Sequence, residues 1–287
     1  MRLPTEPAQK GSAAIPRPPL VREVLLVAGL FLVYKLGRQL ATGHTAEAFG
    51  NAHRVWDLER FLHLPGEGSV QTAMLHGDTL VHIVNTYYAT VHFPATAAFL
   101  IWLYLRRPGH YRWARRVLAA VTAAALVVHL TFPLAPPRML AATGLVDTGQ
   151  VYGPTVYGAS PETDSLSNQF AAMPSLHFGW ALMVAIGLIA ATRSRWRWLW
   201  LLHPLLTLAV IVGTANHYWL DAIVAAAILG IVLAVVRPPR GAPATAEPDR
   251  EAGDADSPVP LASGGPASGV PHAPDVPEAS GLVGARR

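Results

Sequence analysis

Two short stretches of the chain carry side chains that do chemistry when they meet. Residues 171–180 read AAMPSLHFGW, and residues 214–221 read TANHYWLD. The first offers a hydroxyl, Ser175, and an imidazole, His177. The second offers an imidazole, His217, and a carboxylate, Asp221. His217 and Asp221 stand at i and i+4, so at a helix start they share one face. A carboxylate there accepts the proton of one ring nitrogen, fixes the tautomer and leaves the other nitrogen nucleophilic. An ordinary His–Asp helix pair has the same spacing. His177 suits a general acid, because an imidazole titrates near neutral pH. Pro174 is favourable in a first helical turn. The amides of Ser175, Leu176 and His177 are then expected free at a helix start, where amides and the helix dipole bind anions. Together these features point to phosphate chemistry without a metal. The alternative sets His177, His217 and Asp221 around zinc, although nothing else in the loops forms a ligand cluster.

The elements that must position these residues are apolar. Between the two stretches lie the runs Leu176–Ala191 and Trp198–Gly213, separated by the Arg-rich turn Arg193–Arg197. A crossing of a bilayer takes about 20 residues. A helical hairpin therefore returns both stretches to one membrane face. Only 14% of residues are charged and the mean hydropathy is +0.31, whereas a soluble domain carries about 25% charged residues. With no cysteine, disulfides and thiolate metal sites are excluded. The basic residues sit in short clusters between apolar runs. That pattern reads as membrane topology, not as a nucleic-acid surface.

The expected fold is an all-α, six-span membrane bundle with an amphipathic surface helix and disordered tails. Residues 1–19 are polar and Pro-rich, unlike a cleaved signal peptide, and read as a disordered tail. The membrane domain runs from 20 to 236. Its spans are expected at about 20–40, 79–105, 117–132, 176–191, 198–213 and 217–236. Residues 237–287 are low in complexity and read as a second disordered tail. Ala46–Leu64 is too polar to span; Val55, Leu58, Phe61 and Leu62 share one face, as on a helix lying along the membrane surface. His82, Asn85, Tyr87, Tyr88 and His92 fall within the second span, and His129 near the end of the third. Polar groups there serve interhelical hydrogen bonds or a headgroup pocket. Lys35 and Arg38 end the first span, where basic side chains snorkel to headgroups or hold an anionic one. Lys10, Arg17, Arg22, the five arginines of 106–116, Arg193, Arg195, Arg197, Arg237 and Arg240 all fall on the side of the N-terminus. By the positive-inside rule, both termini are expected in the cytoplasm and the two motifs on the extracytoplasmic side of the cell membrane.

At these motifs the chain resembles the type 2 phosphatidic acid phosphatase superfamily. The family's second motif, Pro-Ser-Gly-His, is matched by Pro174-Ser175-Leu176-His177. Its third ends in His, three residues, Asp, matched by His217 and Asp221. Arg138 in PLAPPRML matches the Arg of the first. The variants APPRM, MPSLH and NHYWLD look most like the branch related to inositol phosphorylceramide synthases. The resemblance implies that His217 attacks phosphorus to form a phosphohistidine and Asp221 orients it. It further implies that His177 protonates the leaving oxygen, while Ser175 and Arg138 hold phosphate oxygens. Three positions depart from the pattern: Thr131 replaces a Lys, Ile211 an Arg, and Leu176 the Gly. Lys35, Arg38 or Arg54 then supplies the missing positive charge, or the substrate is a less charged phosphodiester. The expected partners are the bilayer and a phosphate-bearing membrane lipid, with no nucleic acid and no cofactor. Water as the second reactant gives a phosphatase; an inositol, sugar or lipid hydroxyl gives a transferase. A non-catalytic lipid-binding protein is the reading from another class.

Overall fold

In the computed structural model, residues 17–40, 44–155 and 169–239 are described, apart from the side chains of Tyr34, Lys35 and 37–40. Almost all of the expected tails, 1–19 and 237–287, lies outside the described residues. So do the side chains of Lys35 and Arg38. Among the described residues regular structure is helical. Extended pairing is confined to a parallel bridge between Leu134 and Ala171.

Helix α1 (Leu20–Leu40) packs along α6 (Pro108–Thr131). A buried ion pair between Glu23 and Arg115 joins them, and the Tyr111 hydroxyl donates to Glu23 Oε2 at 2.9 Å. The rest of α1 is largely exposed and apolar, including Leu25, Phe31 and Leu32, as a lipid-facing surface is.

Helices α2 (Thr45–Phe61) and α3 (Glu67–Met74) follow. The expected apolar face of α2 divides. Val55 is buried with Ala48, Asn51, Ala52 and Glu59, whereas Leu58, Phe61 and Leu62 stay exposed. The inward face is set by two polar side chains with specific partners. Asn51 donates to Pro133 O at 2.9 Å, and Glu59 accepts from Leu220 N at 2.7 Å.

The second expected span is two helices, α4 (Asp78–Thr90) and α5 (His92–Arg106), bent by 49°. Pro94 accounts for the break. It lacks an N–H, and its ring clashes with the carbonyl four residues back, at Thr90. After α6 come extended and 3-10 turns and the short α7 (Thr148–Tyr152). Next are α8 (Leu176–Ala191), a 3-10 stretch Arg195–Leu201, α9 (Leu202–Gly213) and α10 (Trp219–Val235). Among the described residues α6 and the stretch Arg195–Gly213 are each long and apolar enough to cross a membrane. The bent α4–α5 pair makes a third candidate, while α8 and α10 are apolar but shorter. Trp196, Trp198 and Trp200 are exposed beside Arg195 and Arg197, the composition of a membrane interface.

The main core lies between α5, α6, α8 and α10, with Leu103, Val117, Met183 and Leu229 almost fully buried. Gly187 lets α8 approach α5. A Cβ there would lie 2.4 Å from the Phe99 ring.

Candidate active site

The three motif segments are tied together by main-chain hydrogen bonds. Arg138 N donates to Ala215 O at 2.9 Å, and Ser175 N to Asp221 O at 3.1 Å. Leu134 N donates to Phe170 O at 2.7 Å and its carbonyl accepts from Ala172 N at 3.3 Å. Residues remote in sequence thus form one frame around a cavity. His92 and Phe93 line it from α5, and His129 from the end of α6. Pro136, Arg138, Gln169, Ala171 and Ala172 line it from the loops. Leu176, His177 and Trp180 come from α8, and Asn216 and His217 from the turn before α10.

His217 lies outside the helix expected to hold it. Tyr218 is the N-cap of α10, and Asp221 stands in the first turn. The i,i+4 contact forms nonetheless, because the turn folds His217 back over the helix start. Ala215 at φ 54° makes that reversal, with Asn216 N and His217 N both bonded to Ile211 O at 3.1 Å. His217 Nδ1 lies 3.0 Å from Asp221 Oδ2 and 2.9 Å from Ala172 O. A backbone carbonyl only accepts, so Nδ1 carries the proton. Nε2 is left with a lone pair and no hydrogen-bond partner among the described residues. Asp221 is fully buried, and its Oδ2 also accepts from Tyr218 N at 3.0 Å. A carboxylate in that first turn is favoured by the helix dipole.

His177 stands one residue into α8 beyond Leu176. Its ring stacks on Tyr88 at 4.6 Å and leans on His92 at 4.5 Å. The centroid of His217 is 6.0 Å away. His92 in turn stacks on Trp180 at 4.9 Å. These aromatic contacts restrict the His177 ring to a narrow range of orientations facing His217.

Arg138 is the motif cation that reaches the cavity. Its Nε donates to Asp147 Oδ2 and its Nη2 to Gln169 Oε1, each at 3.0 Å. Asp147 also caps α7 by accepting from Gln150 N. Ser175 is fully buried as the N-cap of α8, where its hydroxyl accepts from Phe178 N at 3.4 Å. It does not line the cavity, and its own amide is engaged by Asp221 O; the expectation of a free amide at Ser175 is corrected by that bond. Arg54 is exposed, bonded to Asn51 Oδ1 at 3.2 Å, and also off the cavity wall.

The two replaced cation positions stay apolar or remote. Ile211 is buried among Tyr88, Val210 and Val212. Thr131 is exposed and bonds back to Val127 O at 2.9 Å. Polar side chains without assigned roles line the cavity instead: His92, His129, Gln169 and Asn216. His92 carried a sequence signal as a polar group inside a span, and Asn216 lies within NHYWLD. Nothing in the sequence marks Gln169. Of the other polar residues on α4, Asn85 serves an interhelical bond. Its Nδ2 donates to Thr148 O at 2.8 Å and Gly153 O at 3.0 Å. Tyr87 meets His203 and Thr207, and His82 is exposed.

The zinc arrangement finds no geometric support. Asp221 Oδ2 is engaged by His217 and Tyr218, and among the described residues no three such side chains converge on a metal-sized site.

No curated protein and no solved structure matches the chain. A family model matches residues 53–235, from within α2 to the end of α10, and so takes in every cavity residue named above. On that match the chain belongs to the PAP2 superfamily, whose members are phosphatases and phosphotransferases.

Proposed function

We propose that the protein is an integral-membrane enzyme that cleaves or transfers a phosphoryl-containing group of a lipid at the extracytoplasmic face through a phosphohistidine on His217. The observation that carries this reading is the His217–Asp221 couple opening on a cavity shared with His177 and Arg138. His217 Nε2 attacks phosphorus as the bond to the leaving oxygen breaks. His177 donates its proton to that oxygen, so the lipid alcohol departs neutral. The Nδ1–H keeps its bonds to Ala172 O and Asp221, and the carboxylate balances the positive charge that the ring acquires. In the second step His177 takes a proton from water or an alcohol, which attacks phosphorus and releases His217. No metal is required by this scheme.

In this reading the bundle has six spans, with α1, α8 and α10 added to the three candidates above and α2 at the outer surface. The arginine distribution supports a cytoplasmic location for both termini.

Charge favours a second, narrower reading. Arg138 is already paired with Asp147 at 3.0 Å, and neither Thr131 nor Ile211 supplies a cation. A cavity with so little net positive charge suits a singly charged phosphodiester better than a doubly charged monoester. The enzyme would then transfer a polar headgroup phosphate, inositol phosphate for instance, to a lipid or glycan acceptor. Purified protein incubated with a panel of lipid phosphates and phosphodiesters, with and without inositol, tests both. Mass spectrometry of the products is expected to show hydrolysis or transfer. No product from any lipid overturns the reading.

A further inference from the structure

Glu59 and Glu67 are fully buried side by side, outside the cavity and unused by the reaction above. Two observations give them a task. The first is a contact: Leu220 N donates to Glu59 Oε1 at 2.7 Å. Leu220 immediately precedes Asp221 and occupies the second position of α10, where amides have no partner within the helix. The N-cap residue is Tyr218, which is a poor capping residue. A carboxyl from α2 therefore caps α10 in its place.

The second observation is a charge count. Arg60 Nη2 lies 3.0 Å from Glu67 Oε2 and 3.9 Å from Glu59 Oε2. One guanidinium faces two buried carboxyls. Glu59 Oε2 and Glu67 Oε1 have no hydrogen-bond donor among the described residues. A single proton shared between the carboxyls satisfies both and leaves the group with Arg60 neutral. In keeping with that geometry, burial and the Glu67 carboxyl push Glu59 up to about 9, against the opposing bond from Leu220 N. The proton is therefore held at neutral pH. Arg60 on α2, Glu67 on α3, and Tyr218 and Asp221 at the start of α10 are the ionisable groups facing Glu59.

We propose that Glu59 is a positioning residue for the His217–Asp221 couple: kept neutral by a proton shared with Glu67, it caps the first turn of α10 and sets where Asp221 meets His217, without adding a second full negative charge there. The proposal rests on the reading of His217 as the nucleophile for its kinetic consequence, but not for its structural one.

The test uses full-length protein in detergent micelles with ¹⁵N-labelled histidine. The Nδ1–H resonance of His217 is identified by its loss in His217→Gln. Kinetics are measured in parallel on the lipid that the wild type turns over best. Glu59→Ala is expected to move or broaden the His217 resonance and to lower kcat roughly 100-fold, the scale of a small misplacement of a reacting group. KM should stay within about twofold. Glu59→Gln keeps an acceptor for Leu220 N and a donor toward Glu67, so it is expected to restore both resonance and kcat. A folded Glu59→Ala that leaves both unchanged overturns the proposal. So does a Glu59→Gln as impaired as Glu59→Ala, because that outcome requires the negative charge. If the wild type shows no turnover, or His217→Gln keeps it, the functional reading fails. The resonance alone then decides the positioning claim.

Discussion

Replacing Asp221 by Asn probes how the proposed nucleophile, His217, is held. In the usual triad, loss of the carboxylate costs about 10⁴-fold because the imidazole adopts the wrong tautomer. Here a second acceptor, Ala172 O at 2.9 Å, holds the Nδ1 proton independently of the side chain. The Asn amide oxygen can still accept from His217 Nδ1 and from Tyr218 N. What disappears is the full charge opposite the ring as it becomes cationic. At about 4 Å and an effective dielectric of about 20 that attraction is worth ~4 kcal/mol, an upper bound of about 10³-fold in rate. Asp221→Asn is therefore expected to lower kcat by about 10²- to 10³-fold with little change in KM. The Asn NH₂ takes the place of Asp221 Oδ1, which has no donor among the described residues. One unsatisfied buried group thus replaces another, so stability should change by less than the ~1–3 kcal/mol that a newly unsatisfied group costs. Steady-state kinetics on the best lipid substrate, with thermal unfolding in the same detergent, measure both effects. A loss as complete as that of His217→Ala would show that the Ala172 carbonyl does not fix the tautomer.

Other perturbations follow from single contacts. His177→Ala should abolish turnover of a lipid ester yet keep part of the covalent step with a nitrophenyl phosphate, whose leaving group departs without a proton; equal loss on both substrates contradicts the general-acid role. Gly187→Ala places a methyl 2.4 Å from the Phe99 ring and should lower stability by about 1–3 kcal/mol, read as an earlier unfolding transition with the site chemistry intact. Topology is checked on the cysteine-free chain with an impermeant thiol reagent. Val151→Cys, exposed on α7, should label in intact cells and Arg106→Cys only after lysis; the reverse pattern overturns the orientation.

The candidate residues that line or adjoin the cavity were legible because their spacing is local or their neighbours are distinctive. His217 and Asp221 needed only four residues of sequence, and Arg138 a short Pro-rich stretch. The contacts that make them a site were not legible, because they join distant segments. Ala172 O on His217, Ala215 O on Arg138 N, and Glu59 on Leu220 N have no sequence signature. Hydropathy located the apolar helices but not their breaks. Pro94 divides α4 from α5, and residues 195–201 adopt 3-10 geometry ahead of α9. The apolar face expected on α2 divides, with Val55 and Glu59 turned inward, because a buried carboxyl with a partner does not look buried in a sequence. Ser175 and His177 were read together, yet the fold uses Ser175 as a cap and turns only His177 to the cavity.

In the proposed reaction His217 carries the phosphoryl group, and on one particular nitrogen. Nδ1 is held by Ala172 O and Asp221 Oδ2, which leaves Nε2 for the covalent bond of the proposed reaction. The direct measurement is rapid alkaline quenching of the enzyme with a ³²P-labelled lipid substrate, followed by peptide mapping and separation of the two phosphohistidine isomers. Label is expected on the peptide containing His217, as the Nε2 isomer, absent in His217→Ala and accumulating in His177→Ala with an activated ester. Label on His177, on the Nδ1 isomer, or on no histidine while turnover proceeds would contradict it.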